Sequence, residues 1–203
     1  MAYTDYTAVK RYLNIDTVND GDDTLLTTLI ARAQAEIDRF CARTFEASTN
    51  TVRYFNALTE VDTRDYLTLY LQYDLCSINT ITNGDNTTIS SGYTTKPKNE
   101  TPYYAIRLLP SSGLAWTYED DPDDAIAISG KWAYSTTAPA DIVQATIELT
   151  AWMYRRRDNF VDFERPQVSP DGTTFVPTAM PRSVCAVLEP YKKLMVNWER
   201  MRC

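Results

Sequence analysis

Apolar positions along this chain recur with two different periods, and the change from one to the other divides it. Between Thr4 and Leu13, Val9, Tyr12 and Leu13 share one side of a short helix that Thr4 or Asp5 can cap. A second helix is predicted from Asp22 or Asp23 to about Arg43, with Leu25, Leu26, Leu29, Ile30, Ala33, Ile37, Phe40 and Cys41 inside an arc of roughly 160°. Arg32, Gln34, Asp38 and Arg39 lie opposite as a solvated face. Helical spacing then stops, and stretches rich in Thr, Tyr, Val and Ile predict strands at 51–56, 66–71, 77–82, 87–90, 103–108 and 125–134. Asn83-Gly84 reads as a hairpin turn between two of them, and Pro97, Pro102, Pro110 and Pro122 keep the strands short.

Helical spacing returns at Ala138–Arg157, where Pro139 and Asp141 suit a first turn and Arg155, Arg156 and Arg157 suit the negative end of the helix dipole. Trp152, Ala145, Leu149, Ile142, Met153, Thr146, Thr150, Val143, Tyr154 and Ile147 sweep roughly 220° of this helix, far more than the ~100° stripe of an ordinary surface helix. It must therefore be covered on more than one side. Either it is the central helix of one subunit's core, or it packs on its own domain and on a neighbouring subunit as well. The second reading makes Trp152, Tyr154, Arg155, Arg156 and Arg157 inter-subunit candidates, the arginines serving as dipole caps or, for at least one, as an ion pair with the next subunit.

Residues 158–180 hold Pro166, Pro170, Pro177 and Gly172 with little periodicity and read as a long arm. Its apolar side chains, Phe160, Val161, Phe163, Val168, Phe175 and Val176, are too few to offset the backbone entropy of ordering it, so its order should depend on a partner. Phe160 and Phe163 join the inter-subunit candidates. A last short helix starts at Pro181, buries Val184, Val187 and Leu188, and ends or kinks at Pro190. Beyond it Tyr191, Leu194, Met195 and Trp198 alternate with Lys192, Lys193, Arg200 and Arg202, a basic and aromatic docking tail. The whole predicts an α+β fold: a helical core at 1–46 and 138–203, carrying the arm and tail, with a small antiparallel β domain inserted at 47–137.

Composition narrows what this fold can do. The 203 residues suffice for a sizeable core, and a formal charge of −7 argues against a protein whose task is gripping nucleic acid. An acidic wall would instead let a duplex slide past. Fourteen Tyr and four Trp suit large contacts with other chains. The four cysteines lie far apart and histidine is absent, so neither disulfides nor zinc are expected, and no cofactor or metal is called for. Asn19-Asp-Gly-Asp-Asp23 lacks the spacing of a calcium loop and reads as a solvated loop and helix cap. Apolar runs are too short to cross a membrane and the start lacks the features of a signal peptide, so residence in a reducing cytoplasm is expected. Tyr118-Glu-Asp-Asp-Pro-Asp-Asp124 concentrates carboxylates at a loop tip; Glu119, Asp120, Asp121, Asp123 and Asp124 read as a solvated loop that could line a channel.

The order of these parts resembles the head-tail connector, or neck adaptor, family of tailed bacteriophages. The resemblance lies in Tyr6–Leu13 followed by an acidic loop and Leu25–Asp38, in Asp74–Gly84, in Pro139–Ala145 through Tyr154–Arg157, and in Val187–Lys192. It implies a non-enzymatic, homo-oligomeric ring of twelve subunits in the virion neck, assembled in the host cytoplasm. It also implies a portal protein bound through the C-terminal segment, a stopper or tail protein below, and a channel for double-stranded DNA. The arm and the β insertion are larger than the resemblance covers, so no contacts are carried over to them. Two readings from other classes stand beside it: a hydrolase working with carboxylates such as Glu119 and Asp120, and a ligand-binding module using the β insertion.

Overall fold

In the computed structural model, which describes residues 2–157, 167–168, 174–175 and 180–193, the long helix α3 (Ala140–Arg157) is covered by helices of its own chain. They are α1 (Tyr6–Leu13), α2 (Asp23–Cys41) and α4 (Arg182–Leu188), and each packs on α3. Ile142, Ala145, Thr146, Leu149, Thr150, Ala151 and Met153 are buried, and Val143, Ile147, Trp152 and Tyr154 half-buried. Val9 of α1 with Leu26 and Ile30 of α2 forms a cluster against which Ile147 and Tyr154 pack. The wide apolar arc is thus largely accounted for inside one chain. Thr146 and Thr150 are fully buried yet satisfied, because their hydroxyls donate to the carbonyls of Ile142 and Thr146 at 2.7 Å each.

The Asp5 carboxylate accepts the Ala8 N–H at 2.7 Å and starts α1, and Asn14 ends it in the left-handed region at φ 59°. The buried side of α1 is rotated from the expected one. Tyr12 is 46% exposed, whereas Lys10 is fully buried. The Lys10 ammonium donates to the Asn19 carbonyl and pairs with the Asp23 carboxylate in the first turn of α2, and these partners allow a charge to replace an aromatic ring inside. Tyr3 likewise covers part of the expected wet face of α2: its hydroxyl donates to Asp38 at 2.6 Å and its N–H to Gln34 at 3.3 Å. Burial of Asp38 beneath it raises that carboxyl above its ordinary range.

The chain divides into two compact units, Arg43–Pro139 and a second made of Ala2–Ala42 with Ala140–Cys203. The first is built from β1 (Thr51–Phe55), β2 (Thr68–Leu75), β3 (Ser77–Thr82), β4 (Tyr93–Lys96), β5 (Tyr103–Leu108) and β6 (Ile126–Lys131). They form two antiparallel sheets, ordered β1-β6-β3 and β2-β5-β4. Residues of both, including Phe55, Leu69, Leu75, Ile81, Ile106, Ile126 and Ile128, share one apolar core. Alternation is strictest on β6, where every second residue is buried. Trp116 and Trp132 reach this core and place their indole N–H groups on the carbonyls of Leu67 (2.9 Å) and Thr51 (3.0 Å). This arrangement of helices and small antiparallel sheets is the α+β class expected from the sequence.

Three further expectations are corrected. Residues 87–90 make no named strand, only an isolated bridge of Thr88 to Thr82, and β4 lies instead at Tyr93–Lys96, on the other sheet. In the long arm, β7 (Gln167–Val168) pairs antiparallel with β8 (Thr174–Phe175), so a two-stranded ribbon replaces part of the unstructured stretch. Finally, the chain does reverse near Asn83-Gly84, but the left-handed residue is Asn86, at φ 60°. Gly84 serves close approach: a Cβ there would collide with the Thr117 carbonyl and stand 2.8 Å from Tyr118 Cα. Asn83 completes the seam, its amide donating to Ala115 (2.9 Å) and its carbonyl oxygen accepting from Thr117 (3.2 Å). Gly84→Ala should therefore cost about 1–3 kcal/mol of stability, seen as a lower urea midpoint at unchanged slope. An unaltered midpoint would remove the close-approach role.

Candidate docking and assembly surfaces

The candidate residues at the end of α3 have separate environments. Arg157 has its carboxylate within the chain: its Nη1 donates to Asp22 Oδ1 at 2.9 Å, while the Tyr154 hydroxyl donates to Asp22 Oδ2 at 2.5 Å. The guanidinium of Arg157 also lies 4.5 Å from the Tyr154 ring centroid. Tyr154 first, and Arg157 next, hold the Asp22 carboxyl below its ordinary range, and the same hydrogen bond pushes the Tyr154 hydroxyl up. The two acidic residues that begin α2 are thus engaged by named cations, Asp22 by Arg157 and Asp23 by Lys10. Arg155 is exposed.

Arg156, between them, stacks on Trp152 one turn earlier, at 4.4 Å. Both line a groove of about 190 Å³ with Leu29, Arg32, Glu36 and Met153, so α2 and α3 together build it. Arg32 and Glu36 pair across its rim at 3.2 Å. Phe160 and Phe163 lie outside the described residues.

In the β unit the carboxylates Glu119, Asp120, Asp121, Asp123 and Asp124 are all exposed. Pro122 anchors the loop by accepting the Ala57 N–H at 2.9 Å; Asp123 accepts from the Asn56 amide, and its own N–H donates to Asp121 at 3.0 Å. Tyr118, at the head of the loop, is 43% exposed and is fixed through its backbone bridge to Gly84.

The first three residues of the expected docking tail have partners within the chain. The Tyr191 hydroxyl donates to Asp141 at 3.2 Å, Lys192 pairs with Glu189 at 2.8 Å and lies 4.2 Å over the Phe40 ring, and the Lys193 N–H donates to the Cys41 carbonyl at 2.9 Å. These three residues clasp the chain's own helices. Leu194, Met195, Trp198, Arg200 and Arg202 lie outside the described residues. Sequence reasoning missed the Lys10 and Asp22 clamps. A signal existed for the first, since Lys10 borders the Val9–Leu13 face and precedes a run of acids. It also missed the ribbon of β7 and β8, although Pro170-Asp-Gly172 between the strands carries turn chemistry.

A helical unit interrupted by a two-sheet β insertion places the chain in the α+β class. The model of the head completion protein family matches residues 2–194, and the chain belongs to that family of virion structural proteins. The family agrees with the connector resemblance read from the sequence. Two solved structures share the fold. One is a chain from the neck of an empty gene transfer agent particle computed with C6 symmetry, 16% identical over 93% of this chain and 88% of that one, with a TM-score of 0.56. The other comes from the virion of the native gene transfer agent particle, 16% identical over the same shares, with a TM-score of 0.54. No curated protein matches the chain significantly.

Because the Asp22 carboxyl sits below its ordinary range in the folded chain, its contribution is present above an unfolded value of about 3.9 and is lost as pH falls through the lower folded value. Asp22→Asn should therefore melt below the wild type at neutral pH, and the two melting temperatures should converge on acidification below about pH 4. A gap that persists undiminished in strong acid would mean that the carboxylate's charge is irrelevant to the clamp.

Proposed function

We propose that this chain is a subunit of a homo-oligomeric ring, a dodecamer, in the neck of a tailed phage or phage-like particle. The ring joins the portal to the stopper or tail and leaves a channel for double-stranded DNA. The observation that carries this reading is the head completion family match over residues 2–194, supported by a fold shared with chains of a gene transfer agent neck and virion. A neck with six-fold symmetry accommodates six or twelve copies in one ring. The formal charge of −7 suits a wall past which a duplex moves without being held, since tight binding needs cations that displace the counterions of many phosphates.

The role is non-enzymatic. Paired-carboxylate hydrolysis requires one acid in a cleft with a raised pKa and a second at a set distance, whereas Glu119 and Asp120 stand on an exposed loop. Attachment to the portal runs through residues 194–203, since Tyr191, Lys192 and Lys193 already hold the chain's own helices. Leu194, Met195 and Trp198 supply the aromatic and apolar anchors, and Arg200 and Arg202 the charge.

Light scattering of the purified chain, alone and with purified portal, should give a multimer or a portal complex; a strictly monomeric chain under both conditions would sink the ring reading. Deleting Leu194–Cys203 should abolish co-sedimentation with portal and leave the melting curve in place. Undiminished co-sedimentation would take the docking role away from this segment.

A further inference from the structure

At about 190 Å³, the groove between α2 and α3 is smaller than the roughly 300 Å³ of the smallest pockets that enclose drug-sized ligands. It is sized for a side chain. Leu29, Trp152 and Met153 give it apolar and aromatic walls, and Arg32, Glu36 and Arg156 charge its rim. Trp, Met and Arg are the residue types enriched where proteins meet. Stacking on Trp152 fixes where the charge of Arg156 stands. The Arg32 side chain is 68% exposed, whereas its partner Glu36, four residues on, is 18% exposed, so Arg32 keeps donors open to solvent on the side away from Glu36, and an incoming carboxylate shares it with that partner. Such a groove recognises an aromatic residue followed by carboxylates.

The chain presents that chemistry in the loop headed by Tyr118. The bridge of Tyr118 to Gly84, the Asn83 seam and the Pro122–Ala57 hydrogen bond tie down both sides of Glu119 and Asp120, which lowers the ordering cost a partner has to meet. Asp121 and Asp123 bond within the loop or to Asn56. Glu119 and Asp120 are exposed beside Tyr118. We infer that the groove of one copy receives Tyr118, Glu119 and Asp120 of a second copy, Tyr118 against Trp152 and Met153 and the carboxylates against Arg32 and Arg156. The contact rests on the ring reading above. It joins two different surfaces, so it is head-to-tail, the kind of contact that forms a ring when its rotation closes. Copies that each carry −7 repel one another, and opposite charges concentrated at the contact overcome that repulsion locally and set its register. The loop then belongs to the subunit contact and not to the channel wall.

The test is a charge exchange in the full chain, with circular dichroism melts as the control for folding and sedimentation velocity as the readout. Arg32→Glu with Arg156→Glu should raise the concentration needed for assembly by roughly tenfold or more. Glu119→Lys with Asp120→Lys should do the same, and an equimolar mixture of the two variants should recover hetero-complexes through the reversed pair. Independently, Arg32→Lys places an amine at position 32, and carbodiimide treatment of a mixture of isotopically light and heavy chains should yield mixed-label isopeptide links to Glu119 or Asp120. Assembly at wild-type concentration in both reversed variants overturns the inference and leaves the ring standing. Links running from position 32 to Asp158, Asp162 or Glu164 instead overturn it too. A wild type that never assembles, with or without portal, overturns the ring and this contact together.

Discussion

Most of the helical unit follows from one constraint, the need to remove an unusually wide arc of α3 from water. A helix apolar over roughly 220° cannot be served by a single neighbour, and here α1, α2 and α4 divide the task. Two buried threonines become affordable on that helix because each hydroxyl returns to a carbonyl one turn back. The same demand draws together segments from distant parts of the sequence, since α1 and α2 precede the β unit whereas α3 and α4 follow it. Covering α3 also brings the start of α2 to its last turn, where Asp22, Tyr154 and Arg157 meet. An electrostatic clamp at that point holds together elements more than a hundred residues apart in sequence, and it does so in a half-exposed setting where geometry counts for more than raw charge.

What the sequence disclosed about this fold was its local periodicity. The apolar faces of α2 and α3 could be read directly, because burial on one side leaves a period of 3.6 in the residues themselves, and β3 and β5 could be read from their β-branched and aromatic residues. Long-range partnerships leave no such trace. Lys10 carries only an indirect hint, its place beside an apolar face ahead of a run of acids, and Asp22 looks like any helix-start acid until Tyr154 and Arg157 arrive from a segment more than a hundred residues on. Gly84 shows the same limit differently. An Asn-Gly pair ordinarily signals a positive-φ turn, and here the glycine was needed because another backbone passes too close for a Cβ. The tetrapeptide of β4 was missed because Tyr93–Lys96 is half-buried throughout and shows no alternation to detect.

The candidate surfaces were less legible than the core for a related reason. Composition marks a segment as sticky without saying whether its own chain has already used it. Tyr191, Lys192 and Lys193 have the chemistry of a docking motif, but their hydroxyl, ammonium and backbone groups close over α2 and α3. The arginines of α3 divide in the same way: Arg157 serves the clamp, while Arg156 turns to Trp152 and the groove. Neighbouring residues with identical charge thus reach different environments, because each step along a helix turns the side chain by about 100°.

That clasp bears on how a docking segment beyond it would act. Lys193 is tied through its backbone to the last turn of α2, so residues that follow it start from a fixed point on the helical unit. A segment anchored at one end explores a smaller volume than a free peptide, and its effective concentration at a nearby receptor is correspondingly higher. Ordering about ten residues on a partner still costs on the order of 10–20 kcal/mol of backbone entropy. In the proposed docking, burial of Leu194, Met195 and Trp198 on a partner would return about 1.5–3 kcal/mol each, less than that cost, so contacts beyond these three side chains would be required.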